Sequence, residues 1–214
     1  MSSSAIARIM RSAPVIPVIT IDQPEHALPL AEALVSGGLP VLEITLRTPH
    51  ALAAIRAIKQ ALPHAIVGAG TVINRQHYQQ AIDAGAEFIV SPGFTSELLA
   101  CAKSGATPFL PGVNTPSEIM TLLAHGITAM KFFPAEAAGG VAMLKAIGAP
   151  LPQALFCPTG GVTRTNASDY LALANVACVG GSWMVTKELV QGQRWDDIRT
   201  LAREASHLKQ VSMP

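Results

Sequence analysis

Charge is scarce in this chain, and so are aromatic rings. Asp, Glu, Lys and Arg make up 14% of the 214 residues and Phe, Tyr and Trp 5%, while 50% are hydrophobic. So little charge excludes a disordered or solvating chain and implies a large buried core. Two Trp and two Tyr provide no base-stacking platform for nucleic acid. A formal net charge of +1 leaves no field to attract nucleic acid or an anionic membrane surface. No apolar run approaches the roughly 18 residues of a spanning helix. The start, MSSSAIARIMRS, lacks the charged n-region and apolar h-region of a secretory signal. A cytoplasmic protein with no membrane and no nucleic-acid partner is expected. The three cysteines, Cys101, Cys157 and Cys178, show no CxxC spacing and are expected as reduced core thiols. His26, His50, His64, His77, His125 and His207 form no HxH or HExxH pair, so no metal is expected.

What the chain does have is regular alternation. Short apolar runs end near Gly, Pro or a polar residue: VIPVITI (15–21), VLEITL (41–46), AIVGAGTV (65–72), EFIVSP (87–92), TPFLPGV (107–113), AMKFFP (129–134), ALFCPTGG (154–161) and ACVGGS (177–182). Each is followed by a segment with helical periodicity. In PHALAAIRAIKQAL (49–62), Leu52, Ile55, Ile58 and Leu62 recur on one face, and Pro49 suits a first turn. Further helices are expected to begin near Thr95, Pro116 and Asn166. Eight strand–helix units with no room for insertions predict a single α/β domain over 1–214, a compact (β/α)8 TIM barrel. A doubly wound open sheet is the rival. Ile6, Ile9 and Met10, at helical spacing before the first strand, predict a short N-terminal helix capping the barrel.

In such a barrel, chemistry gathers at the C-terminal strand ends. Along the second strand the period of two puts Glu43, Thr45 and Arg47 on one face and Leu42, Ile44 and Leu46 on the other. Helices cover the outer face, so the polar trio faces inward, where Glu43 and Arg47 are expected to pair. The sixth strand carries Lys131. Of six lysines it alone sits inside an apolar strand; Lys59, Lys103, Lys145, Lys187 and Lys209 fall in helices or near their ends. Burial disfavours an ammonium ion, and a neutral amine attacks carbonyls to give a Schiff base. A structural lysine paired with a carboxylate is the plainer alternative. Glu136, beyond Pro134, reads as a loop or rim residue. The last two strands end in glycine pairs, Gly160-Gly161 and Gly180-Gly181, the second followed by Ser182. Glycine lets backbone N–H groups approach an anion, and a short helix starting at Ser182 would aim its N-terminus there. A phosphate site after strands seven and eight is frequent in this fold. GAGTV (68–72) lacks what a dinucleotide fingerprint requires.

VLEITLRT, GAGTV, SPG, KFFPAE, FCPTGGV and GGSW, in this order, closely resemble the 2-keto-3-deoxy-6-phosphogluconate (KDPG) aldolase family of class I lysine aldolases in the Entner–Doudoroff pathway. The similarity runs from about Ile16 to Ala205. The resemblance implies a homotrimer of (β/α)8 barrels, needing no metal and no cofactor, that acts on a phosphorylated 2-keto acid. It implies Lys131 as Schiff-base lysine and Glu43 as general acid/base. Arg47 and Thr71 would hold the pyruvyl carboxylate, and Pro92 and Phe133 would line the pocket. Gly160, Gly161, Gly181 and Ser182 would take the phosphate. Some relatives carry a first-strand arginine near the phosphate, where this chain has Thr20. That departure makes 4-hydroxy-2-oxoglutarate a plausible second substrate. The galactonate-series epimer, a phosphate-binding isomerase or decarboxylase with no covalent step, and a non-catalytic binding barrel are the alternatives.

Overall fold

In the computed structural model, residues 2–208 are described; Lys209, expected near a helix end, lies outside them. The apolar runs form parallel strands: β1 (Val15–Ile19), β2 (Val41–Thr45), β3 (Ile66–Gly70), β4 (Phe88–Val90), β5 (Phe109–Leu110), β6 (Gly112–Val113), β7 (Ala129–Phe132), β8 (Leu155–Pro158) and β9 (Val179–Gly181). β5 and β6 are the two halves of the expected fifth strand. Pro111 lies between them and has no N–H to offer a ladder. Pairing runs β5-β4-β3-β2-β1-β9 in one sheet and β6-β7-β8 in the other. Bridges from Phe156 to Val176 and from Thr159 to Gly180 join β8 to β9 and close the barrel. The open-sheet rival is thereby set aside.

The helices are α1 (Ser2–Met10), α2 (Ala27–Ser36), α3 (Ala51–Ala61), α4 (Arg75–Asp83), α5 (Ser96–Ser104), α6 (Pro116–Ala124), α7 (Gly140–Gly148), α8 (Ala167–Leu171), α9 (Lys187–Gln191) and α10 (Trp195–Ser206). Pro49 stays outside α3, whose N-cap is His50. Thr95 caps α5 by accepting from the Leu98 N–H. None of these helices is long and apolar enough to cross a membrane.

Two buried clusters follow from the period of two. Outward strand residues such as Leu42, Ile44, Val67 and Ile89 pack on the helix layer with Ile55, Ile58 and Ile198. Inward residues Ile16, Val41, Phe88, Val90, Leu110 and Ala129 form a second cluster with Ile6 and Met10 of α1. The N-terminal helix therefore stoppers the lower end of the barrel, as the spacing of Ile6 and Met10 predicts. The upper, C-terminal end of the strands is left for polar groups.

Candidate active site

Glu43 and Lys131 both point into the barrel above that apolar plug. Each side chain is only 5% exposed, and Lys131 Nζ donates to Glu43 Oε1 across 3.1 Å. They meet because β2 and β7 lie on opposite sides of a narrow barrel and each places its polar residue inward. The carboxylate has room because it leans over Gly70 of β3, two residues beyond its register partner Gly68; a Cβ at Gly70 would collide with Glu43 Oε1. The expected Glu43–Arg47 pair does not form. Four residues along a strand span about 13 Å, so Arg47 sits a full layer higher, where its Nε donates to Thr71 Oγ1 at 3.3 Å. Thr45, between them, is buried, with its hydroxyl donating to the Ile19 carbonyl at 2.9 Å and lying 3.0 Å from the Thr20 hydroxyl.

Above this layer opens a cavity of about 570 Å³. Arg47, Phe133, Gly160, Gly161, Gly181 and Ser182, all expected site residues, line it. Lys131 and Glu43 do not; they lie at its base, with Nζ 5.4 Å from the centroid of the Phe133 ring. Thr71 reaches the cavity through Arg47. Pro92, two residues beyond β4, is exposed and absent from the lining.

No helix begins at Ser182. The Val185 N–H closes a turn on the Ser182 carbonyl at 3.0 Å, and α9 starts five residues later, where Thr186 accepts from the Leu189 N–H. The helix-capping group is on Thr186, so the chain cannot enter a helix sooner. What this turn brings to the cavity is Lys187. Among the lining residues it is the one cationic side chain besides Arg47. Thr159 also lines the cavity, its hydroxyl 3.3 Å from the Cys157 carbonyl. Sequence reasoning passed over both. Lys187 looked like any helix-end lysine, whereas Thr159 stood inside the quoted PTGG run and on the last residues of an inward-facing strand, a signal that was available.

The Cys178 thiol near the pair is a poor nucleophile. Burial first, then hydrogen bonding with Cys157, pushes the Cys178 thiol well above its usual range, and the Glu43 charge adds to this. The arrangement is polarised: a guanidinium and a hydroxyl on one side, an amine–carboxylate pair at the bottom, and glycine backbone with Ser182 and Lys187 on the other.

A model of the family described as KDPG and KHG aldolase matches residues 6–201. The KHG/KDPG aldolase of Escherichia coli (strain K12) is 51% identical over 197 residues, 92% of each chain. A crystal structure of KDPG aldolase from Legionella pneumophila, with pyruvate captured at low pH as a covalent carbinolamine intermediate, is 48% identical. It covers 94% of this chain and 97% of that one at a TM-score of 0.92. The 2-keto-3-deoxy-6-phosphogluconate aldolase of Zymomonas mobilis ZM4, solved with 3-phosphoglycerate, is 46% identical, covering 99% and 100%, also at 0.92.

Proposed function

Since the chain belongs to the KDPG and KHG aldolase family, we propose that it is a class I aldolase cleaving 2-keto-3-deoxy-6-phosphogluconate to pyruvate and glyceraldehyde 3-phosphate, with Lys131 as the covalent residue. The observation that carries the assignment of roles is the buried Lys131–Glu43 pair at the base of a cavity lined by Arg47 and by the glycine backbone at 160–161 and 180–181. A buried ion pair adds little or no net stability over packed apolar side chains, so its presence in a barrel interior points to chemistry.

Proton transfer from Lys131 to Glu43 frees the amine, which attacks the substrate C2 ketone. Glu43 returns that proton to the carbinolamine hydroxyl, which leaves as water to give an iminium ion, and Glu43 is again a carboxylate. Glu43, directly or through a water, removes the C4 hydroxyl proton. The C3–C4 bond breaks, its electrons pass to C3 as an enamine, and C4 leaves as the aldehyde carbon of glyceraldehyde 3-phosphate. Glu43 returns a proton to C3, and water hydrolyses the pyruvyl iminium. Arg47 and Thr71 hold the carboxylate, and Arg47 is suited to the task by its planar fork of donors. The Phe133 ring keeps water from the iminium, and Pro92 belongs to the rim. Gly160, Gly161, Gly181 and Ser182 receive the phosphate, and Lys187 supplies the positive charge that Thr20, just past β1, does not. The same residues accept 4-hydroxy-2-oxoglutarate, releasing glyoxylate, with the phosphate end unused. We assign the reaction to a cytoplasmic homotrimer of one-domain barrels, on the reduced-thiol composition and the family resemblance.

Incubation with pyruvate and sodium borohydride, followed by peptide mass spectrometry, tests this. A reduced pyruvyl adduct on Lys131 is expected. An unmodified Lys131, or an adduct scattered over surface lysines, would overturn the covalent mechanism and favour a phosphate-binding barrel with no covalent step. Glu43→Gln is expected to form the iminium still, with turnover lower by about 10²- to 10⁴-fold; wild-type turnover would remove its role. Comparison of the gluconate- and galactonate-series substrates decides the C4 epimer.

A further inference from the structure

The glycine turn after β8 is held from behind by two residues that do not line the cavity, Glu136 and Asn166. Gly160 and Gly161 adopt φ of +98° and +77° in succession, a left-handed pair open to glycine and costly for other residues. The Gly160 carbonyl accepts from the Glu136 N–H at 3.0 Å, and the Gly161 carbonyl accepts from Asn166 Nδ2 at 3.1 Å. In a planar trans peptide the N–H of the next residue points opposite to the carbonyl. Tying both carbonyls to the scaffold therefore turns the N–H groups of Gly161 and Val162 the other way, toward the cavity that both residues line. Among the described residues, neither N–H donates to a protein acceptor.

The side chains reinforce this. The stem of Glu136 lies against Gly161 so closely that a Cβ there would stand 2.5 Å from Glu136 Cγ and 2.6 Å from its Cβ. The Glu136 carboxylate is pinned in turn by a hydrogen bond from the Tyr170 hydroxyl, and Tyr170 is wholly buried. Burial, then this hydrogen bond and the carboxylate charge, raise the Tyr170 phenol, which keeps it the donor. Asn166 stands at the N-cap of α8 but makes no side-chain cap. Its amide bridges the turn instead: Nδ2 holds the Gly161 carbonyl while Oδ1 accepts from the Thr163 N–H at 2.7 Å.

We propose that Asn166 and Glu136 are positioning residues that fix the orientation of the 160–162 peptide groups and thereby set affinity for the phosphorylated end of the substrate, without acting on carbon–carbon cleavage. The proposal rests on the aldolase assignment above. Asn166→Asp keeps the acceptor for Thr163 and loses the donor to Gly161; Glu136→Ala removes the wall and the Tyr170 acceptor; Glu136→Gln keeps both. In Asn166→Asp and Glu136→Ala, KM for 2-keto-3-deoxy-6-phosphogluconate is expected to rise about tenfold, the factor carried by one charge-assisted hydrogen bond. Inhibition by inorganic phosphate should weaken by the same factor. The kinetics with 4-hydroxy-2-oxoglutarate and the rate of pyruvate trapping should stay within about twofold of wild type, and Glu136→Gln should restore the wild-type KM. Tyr170→Phe, which frees the Glu136 carboxylate and keeps the ring, serves as the second variant if the others do not accumulate folded, with the same expected split. An unchanged KM for the phosphorylated substrate, or equal losses with both substrates, would overturn the proposal. If the wild type traps pyruvate on Lys131 but shows neither a preference for the phosphorylated substrate nor inhibition by phosphate, the amide cup and this inference fall while the lysine mechanism stands. Failure of the trapping itself removes the aldolase reading and the inference that rests on it.

Discussion

Thr71 holds φ of 59°, a left-handed conformation that a β-branched side chain rarely adopts. Such strain costs on the order of 1–3 kcal/mol and persists where the surroundings impose it. Here its hydroxyl accepts from Arg47, on the cavity wall. Thr71→Gly is therefore expected to raise stability by about 1 kcal/mol, the relieved strain outweighing the extra freedom of glycine in the unfolded chain. The same change should weaken pyruvate, seen as a higher half-saturation in the borohydride trapping. A loss of stability in urea titration would mean that the conformation is not strained. The identities of the polar residues were legible at this scale, because a lysine in AMKFFP and a glutamate in VLEITL contradict their apolar surroundings. Their partners were not: Glu43 could be matched with Arg47 along one strand, but Lys131 comes from 88 residues away. Chain pattern reports the face of a residue, and the closed barrel decides what stands opposite.

Helix α6 begins with Pro116, behind a reciprocal cap. The Thr115 hydroxyl accepts from the Glu118 N–H, and Glu118 Oε2 accepts from the N–H groups of Asn114 and Thr115. Burial alone would raise the Glu118 carboxyl, but hydrogen bonds from the Asn114 N–H, the Thr115 hydroxyl and the Thr115 N–H outweigh it and hold the group below its ordinary value. A folded-state pKa lower than the unfolded one contributes stability that is complete above the ordinary glutamate value of 4.5 and drains away as pH falls through the folded value. Glu118→Gln should accordingly flatten the acid limb of the stability curve below pH 4.5. A limb unchanged in steepness, measured by urea midpoints, would show that the cap does not couple to pH. Capping residues made α5 and α6 readable near Thr95 and Pro116. Asn166 likewise marked the start of α8, although its side chain serves the glycine turn and not the helix. The reading failed at Ser182, where a turn intervenes before Thr186. A cap-forming residue type announces a local hydrogen bond, and tertiary neighbours choose the acceptor.

For the molecule as a whole, the two ends of the barrel divide the labour. Ile6 and Met10 fill the lower end, far from Arg47 and the cavity above. Met10→Ala should cost about 2–4 kcal/mol through the cavity it leaves, while the rate of pyruvate trapping on the folded fraction stays at its wild-type value. A slowed trapping rate would show that the plug and the site are coupled. The barrel itself was legible because eight apolar runs alternate with helical periods, and it follows from parallel pairing that each run's inward face is either plug or site. The break at Pro111 was visible in TPFLPGV but could not be placed relative to the ladder without its neighbours. Lys187 entered the cavity through the turn after β9, which periodicity does not encode, whereas Thr159 could have been found at the end of its strand. Gly70 gives the division of labour an odd consequence. It has no side chain, touches no substrate and catalyses nothing, yet its missing methyl group is the space in which the Glu43 carboxylate stands. In a survey of random variants scored by growth on the substrate, Gly70→Ala should be as inactive as loss of Glu43 itself, and position 70 would be filed among the catalytic ones. A Gly70→Ala protein with wild-type turnover would show that the carboxylate can work from another perch.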